Sequence, residues 1–439
     1  MNKGIRIWKK AIKIIPGGNG LLSKRPDRYL PNYWPTYFTK SKGINIWDLN
    51  KKKYTDFCQM GMGTCVLGYR NSYVDKAVKR AIDSGVNSTL NSLDEYKLAK
   101  KILKYNKFAN QIKFARGGGE AMAIAIRLAR AQTEKDIIAF SGYHGWHDWY
   151  LATNISNHNN LDNHLLPGLN PRGVPKALRD TIIPFNFNNF KDLINIVKER
   201  ANECAAIIME PARNSLADKS FLNEIRKIAS KNNCVLIFDE ITSAWRNDTS
   251  GIHKELGVNP DLAAFGKTMA NGIPIAALIG KKKIMEQVKD TFISSTNWTE
   301  RLGPACAVAF IKKHKRLNLG KILQNKGKKI RDIWTQSAED SNLKIKIDGI
   351  LPLSSFKIET QNKDDWPIII TYFIQEMLKK KILASDRCYS NYCQSERFLD
   401  IYKKACRNIF KNISFYLSKG TLRKQLDGPI KQMGFQQKI

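Results

Sequence analysis

From about residue 57 to residue 310 the chain alternates short apolar runs with longer stretches whose apolar positions recur at helical spacing. The runs Ile112–Ala115, Ile137–Ser141, Ala205–Met209, Val235–Asp239, Leu262–Gly266 and Ala276–Ile279 are largely continuous rather than apolar at every second position. That signature belongs to strands covered on both faces. Helical patterns such as Glu120–Ala131 and Phe221–Ser230 fall between them. The alternation predicts an α/β domain over 57–310, with a mostly parallel central sheet and helices on both faces. Segments 1–56 and 311–439 do not continue it, and they are expected to form one smaller α+β domain from both termini. At the start of the chain, Ile5, Trp8, Ile12 and Ile15 keep helical spacing until Pro16-Gly17-Gly18 stops it. An amphipathic helix docked on the protein explains this segment better than a targeting peptide does, despite its five cations and no acid.

Composition narrows the function classes. Lys and Arg number 73 against 39 Asp and Glu, a net charge of +34, which first suggests nucleic acid or an anionic membrane. The cations are spread along the whole chain beside abundant Asn and Ile, so no basic patch is predicted, and neither a nucleic-acid nor a membrane partner. No apolar run approaches the roughly 18 residues of a membrane span. The eight cysteines form no CxxC pair, and Cys388 and Cys393 stand alone, which fits reduced thiols and a cytoplasmic location.

In open parallel sheets, ligands gather at the carboxyl ends of the strands. Lys267 follows one such end, Leu-Ala-Ala-Phe-Gly266, and Asp239 closes the run before it. An amine desolvated among small buried residues loses basicity and becomes nucleophilic. A lysine and a carboxylate on neighbouring strand ends suit pyridoxal 5′-phosphate (PLP). The lysine forms a Schiff base, and the carboxylate keeps the ring nitrogen protonated. Arg116-Gly-Gly-Gly-Glu120 opens a helix and offers an anion cradle. It is not a Walker loop, since no Lys-Ser/Thr follows. The stretch Ser141–Trp149 holds Tyr143, His144, Trp146, His147 and Trp149. These rings can stack on a planar cofactor or pack on one another. His144, His147 and Asp148 have no further His or Cys cluster to complete a zinc site, so no metal is expected.

Ile15-Pro-Gly-Gly18, Gly-Gly-Glu-Ala121 with Arg127-Leu-Ala-Arg130, Leu236-Ile-Phe-Asp-Glu-Ile241 and Phe265-Gly-Lys-Thr-Met-Ala-Asn-Gly-Ile-Pro274 appear in that order. Together they resemble the class III aminotransferases, a PLP family of fold type I, and most of all its glutamate-1-semialdehyde 2,1-aminomutase-like branch. The resemblance extends from about Ile15 to about residue 310. It implies PLP as cofactor, with Lys267 as the Schiff-base lysine and Asp239 as the pyridinium partner. It places Gly118 and Gly119 at the phosphate, Tyr143 and Ile241 on the two ring faces, His144 beside the cofactor, and Glu210 of Met209-Glu-Pro211 on the O3′ side. Counting back from Pro304 assigns Thr299, with Thr296 as alternative, to the threonine that reaches the phosphate of a neighbouring subunit. A homodimer with a shared site follows. The family arginine that binds a substrate carboxylate aligns with Lys24, next to Arg25. The family loop usually reads Ser-Gly-Thr where this chain has Gly117-Gly118-Gly119, and its Ala-His-Thr-type stretch is replaced by Tyr392-Cys-Gln-Ser395. Those departures favour an aminotransferase working through a pyridoxamine intermediate over an intramolecular aminomutase. The Tyr143–Trp149 stretch and Phe292–Glu300 resemble a branch associated with surface-polysaccharide synthesis. That implies an amino-acid donor and a small or sugar-like carbonyl acceptor, with Trp146, Trp149 and Trp298 available to stack on a sugar.

Overall fold

The apolar runs of the central region pair edge to edge. The computed structural model describes residues 2–435 apart from Leu166, Arg213 and Lys363. Among the described residues the strands are, in chain order, β1 (Phe38–Lys42), β2 (Asn45–Asp48), β3 (Lys53–Phe57), β4 (Gln111–Ala115), β5 (Ile137–Ser141), β6 (Ile182–Pro184), β7 (Cys204–Met209), β8 (Val235–Asp239), β9 (Leu262–Phe265), β10 (Ala276–Gly280), β11 (Lys344–Asp348), β12 (Leu353–Glu359), β13 (Ile382–Ala384) and β14 (Arg387–Tyr389). The chain divides into two units, Met1–Asn71 with Lys321–Met433, and Ser72–Gly320 with the residues from Gly434.

In the larger unit the sheet order is β4-β10-β9-β8-β7-β5-β6. β5 pairs in parallel with β6 and β7, β7 with β8, and β8 with β9. β10 runs antiparallel to both its neighbours, β4 and β9. β4 therefore points the same way as β9. The carboxyl ends of β4, β5, β7, β8 and β9 share one edge, the edge where ligands bind in such sheets. β5, β7, β8, β9 and β10 are buried at every residue, which is why their runs are continuous rather than alternating. β6 escaped the sequence pattern because three residues carry no period. The helix Gly118–Thr133 buries Ala121, Ala125 and Ala129, whose small side chains permit close approach, beside Met122, Ile124, Ile126 and Leu128.

The unit boundaries fall later than 56 and 310, for physical reasons. A bridge between Gly43 and Tyr69 keeps the segment after β3 with the first unit. The helix Leu302–Leu317 is continuous and packs on the helices Ser72–Asp83 and Leu93–Tyr105 of its own unit.

The smaller unit contains the sheets β1-β2-β3-β13 and β11-β12-β14. β13 joins β3 in parallel with Ile382 opposite Thr55, which unites the two ends of the chain in one sheet. Its core gathers Trp34, Phe57, Trp334, Phe356, Phe373, Tyr402 and Phe410. Phe57 stacks on Tyr402 at 4.3 Å, and Trp334 Nε1 donates to the Tyr402 hydroxyl at 2.9 Å. The first helix, Lys3–Ile14, buries Ile5 and Ala11. Ile12 and Ile15, expected on its docked face, are 49% and 45% exposed, so the apolar stripe is covered only in part. Among the described residues no helix is long and apolar enough to cross a membrane.

Candidate active site

The shared strand edge collects the chemistry. Asp239, the last residue of β8, is buried at 4% exposure. Its Oδ1 accepts from the Ile241 N–H at 3.1 Å, and its Oδ2 lies 2.9 Å from His144 Nδ1. His144 is fully buried, and its Nε2 has no hydrogen-bond partner. Trp149 stacks on the His144 ring at 6.3 Å.

Lys267 follows β9 and opens a short buried turn, Lys267–Ala270. Its φ of 42° lies in the left-handed region. Such a conformation costs a bulky residue about 1–3 kcal/mol and persists where the surroundings impose it. Buried Thr268, Met269 and Ala270 impose it here. The Lys267 ammonium donates to Thr242 Oγ1 at 2.6 Å.

The helix Gly118–Thr133 begins at the same edge. Glu120 Oε2 turns back to accept the N–H groups of Arg116 and Gly117 at 2.9 and 2.7 Å. The first N–H groups of a helix have no acceptor within it, so this end attracts an anion. A Cβ on Gly118 would lie 2.5 Å from Ile241 Cδ1, and one on Gly119 would lie 2.8 Å from the His147 ring. Ile241 thus packs directly under the glycine turn. Tyr143 is set by its backbone, whose N–H donates to Glu210 Oε2 at 2.9 Å. Glu210 is 3% exposed, and a Cβ on Gly142 would stand 2.8 Å from that same oxygen.

Four residues in this cluster had no individual role in the sequence reading: Arg116, Glu120, Thr242 and His147. Arg116 Nη2 donates to the carbonyls of Trp298 and Glu300 at 2.9 and 2.8 Å and meets Glu300 Oε1 at 3.0 Å. Burial lowers the Arg116 pKa while Glu300 raises it, and a guanidinium remains charged throughout. Trp298 Nε1 donates to Glu120 Oε1 at 3.3 Å. Arg116 and Glu120 therefore pin the segment that carries Thr299 and Thr296, both exposed. The signal was present, since both residues flank the glycine triplet, but their partner lies about 180 residues away. Trp149 is 8% exposed and Trp298 is tied to Glu120, so the three tryptophans form no common surface; Trp146 alone of them, at 71% exposure, faces solvent. His144 and His147 turn to different partners, Asp239 and Gly119. In the smaller unit Lys24 is exposed, while Arg25 spends its guanidinium on Asp27 through bonds of 3.2 and 2.7 Å.

The family model for class III aminotransferases matches residues 29–413. The chain belongs to the class III aminotransferase family. The 3-aminobutyryl-CoA aminotransferase of Cloacimonas acidaminovorans is 31% identical over 81% of this chain and 84% of its own length. The glutamate-1-semialdehyde 2,1-aminomutase of Sulfurisphaera tokodaii is 32% identical over 82% of this chain and 86% of its own. Among solved structures, the FumI protein of Sphingopyxis sp. MTA144, a PLP-containing form, superposes with a TM-score of 0.84 at 22% identity, covering 94% of this chain and 97% of that one. This class III aminotransferase is accordingly a PLP-dependent enzyme. Its strand edge suits that group. A buried carboxylate would answer a cationic ring nitrogen, an amine follows the next strand, and the glycine turn brings its backbone N–H groups close against Ile241 and His147 with no side chain of its own in the way. The buried polar atoms His144 Nε2 and His147 Nδ1 have no protein partner.

Proposed function

We propose that this enzyme transfers an amino group from an amino-acid donor to a small or sugar-like carbonyl acceptor, with Lys267 as the anchoring and proton-moving amine. The observation that carries the reading is the placement of Asp239 and Lys267 at the ends of the adjacent parallel strands β8 and β9, with Asp239 in register with Ala264, three residues before Lys267. PLP, when bound, supplies an electron sink for the substrate Cα. Asp239 holds the positive charge of the ring nitrogen, and His144 steadies its carboxylate. Ile241 and Tyr143 confine the ring from its two faces. Gly118 and Gly119 present N–H groups to the phosphate. Glu210 orients Tyr143 and flanks the O3′ side. Thr242 Oγ1 positions the Lys267 nitrogen, which would take and return the proton at the substrate Cα. Thr299, with Thr296 as alternative, reaches the phosphate of a second subunit, so the working form is a cytoplasmic homodimer. Lys24 and Arg25 are the candidates for a substrate carboxylate; the Arg25–Asp27 pair makes Lys24 the better one. The exposed indole of Trp146 suits a sugar face, which supports a place in surface-polysaccharide synthesis.

The test is the near-visible absorbance of the purified protein, followed by borohydride trapping and peptide mapping. A reduced phosphopyridoxyl group on Lys267 is expected. An unmodified Lys267 after incubation with PLP would sink the assignment. The aminomutase relatives support a second reading, an intramolecular transfer. Single-turnover incubation with a candidate aminoaldehyde separates the two: stoichiometric release of a keto product argues against the intramolecular reading.

A further inference from the structure

We infer that His147 is a further cofactor-anchoring residue, whose Nδ1–H donates to the phosphate seated at the start of the helix Gly118–Thr133. The inference rests on the cofactor placement proposed above and adds a residue to it. Gly119 lies in the first turn of that helix and has no side chain with which to meet an anion. The volume that a side chain at 119 would fill is taken by His147: an ideal Cβ there would lie 2.8 Å from both Cε1 and Nδ1 of the imidazole. The backbone enforces this approach. Gly145 holds φ at +107°, and a Cβ on Gly145 would stand 2.9 Å from the Gly119 Cα. Two glycines meet here, and neither tolerates a side chain without moving the loop away. The imidazole therefore substitutes for the missing side chain of residue 119.

Its Nδ1 is buried and has no hydrogen-bond partner. A buried polar atom without one is rare in a native fold and calls for a ligand or an ion. Trp146 stacks on the ring at 4.7 Å and 26°, which fixes the imidazole plane and leaves its edge to point at a ligand. A phosphate ester presents several acceptor oxygens, and an imidazole N–H beside the helix N–H groups is a matching donor. The tautomer with the proton on Nδ1 is required.

The experiment is a parallel titration of the apo-protein with PLP and with pyridoxal, which lacks the phosphate, read by absorbance and confirmed by borohydride trapping. His147→Ala is expected to weaken PLP about tenfold or more while leaving pyridoxal nearly unchanged. His147→Asn, whose amide nitrogen sits close to the Nδ1 position, is expected to recover part of the loss. Gly119→Ser placed in the His147→Ala background is expected to recover it too, since a hydroxyl then occupies the vacated volume. Equal weakening of PLP and pyridoxal would mean a packing role and overturn the inference, as would unchanged PLP affinity. If the unmodified protein itself yields no phosphopyridoxyl group on Lys267, the cofactor placement fails and this inference fails with it. A normal adduct on Lys267 with an unaffected His147→Ala variant defeats the inference alone.

Discussion

Asp239 and Glu240 are consecutive carboxylates at the end of β8, and each is buried against a histidine. Asp239 meets His144, and Glu240 meets the Nδ1 of His253. The resemblance ends there. Glu240 is wholly buried and also accepts the backbone N–H of Ile252, while His253 is packed between Phe108 and Phe265. Both Glu240 oxygens are answered by the segment 252–253, so the work of this pair is to join the strand end to that segment. The Asp239 pair leaves His144 Nε2 unanswered and lies on the ligand-binding edge beside Lys267. Identical chemistry thus serves structure on one side of a strand end and, in the function proposed here, the cofactor on the other. Successive residues of an extended chain face opposite ways, and that alone separates the roles.

The largest effect expected from breaking this contrast is at Glu240. Glu240→Ala strands the Ile252 N–H and the His253 imidazole inside the protein, and should cost about 3–5 kcal/mol of stability. Urea unfolding would reveal it, and a loss below about 1 kcal/mol would contradict the structural role. Asp239→Asn should instead leave the unfolding midpoint nearly unchanged and reduce kcat by about 10²-fold or more, because only the charge proposed to face the ring nitrogen is removed. Equal behaviour of the two variants would erase the comparison.

His314 sharpens it, as a buried histidine whose two ring nitrogens meet a hydroxyl and a carbonyl rather than a carboxylate. Its Nε2 lies 3.0 Å from the Trp245 carbonyl and its Nδ1 3.1 Å from Thr249 Oγ1, partners that satisfy a neutral ring. Burial lowers its pKa from 6.5 to about 4. Between those values the unfolded chain holds the extra proton. Stability from this residue is therefore complete above about pH 6.5 and declines as pH falls toward 4, by about 3 kcal/mol in all. His314→Gln should flatten that acid-side decline in the urea midpoint; an unchanged slope would assign the decline to other groups. The smallest effect is expected at Trp146. Trp146→Ala should change stability by no more than about 0.5 kcal/mol. If the indole meets the acceptor, KM for a sugar-like carbonyl rises while that for the amino donor does not.

Much of the fold was legible beforehand because its strands are buried on both faces. A strand in that setting must be apolar at every position, and the pattern survives in one dimension. The ends of those runs named Asp239, Lys267 and the glycine turn for the same reason. β10 escaped as an antiparallel strand, since direction leaves no trace in composition, and β6 was too short to show a period. The segment 57–71 groups with the first unit, and its apolar pattern carries no sign of that, because its tie, the Gly43–Tyr69 bridge, is a backbone contact that any sequence can make.

The sequence by itself determined which residues are apolar, where the chain must turn, and which carboxylate and amine stand at strand ends. Those are local matters of solvent transfer and backbone sterics. Only the tertiary structure decided that Glu240 is a strut and Asp239 is not, that Trp149 belongs to the core while Trp146 meets water, and that His147 fills the space beside Gly119. Each of those depends on what lies opposite a side chain across tens to hundreds of residues. Packing chooses that neighbour, and no spacing along the chain encodes it.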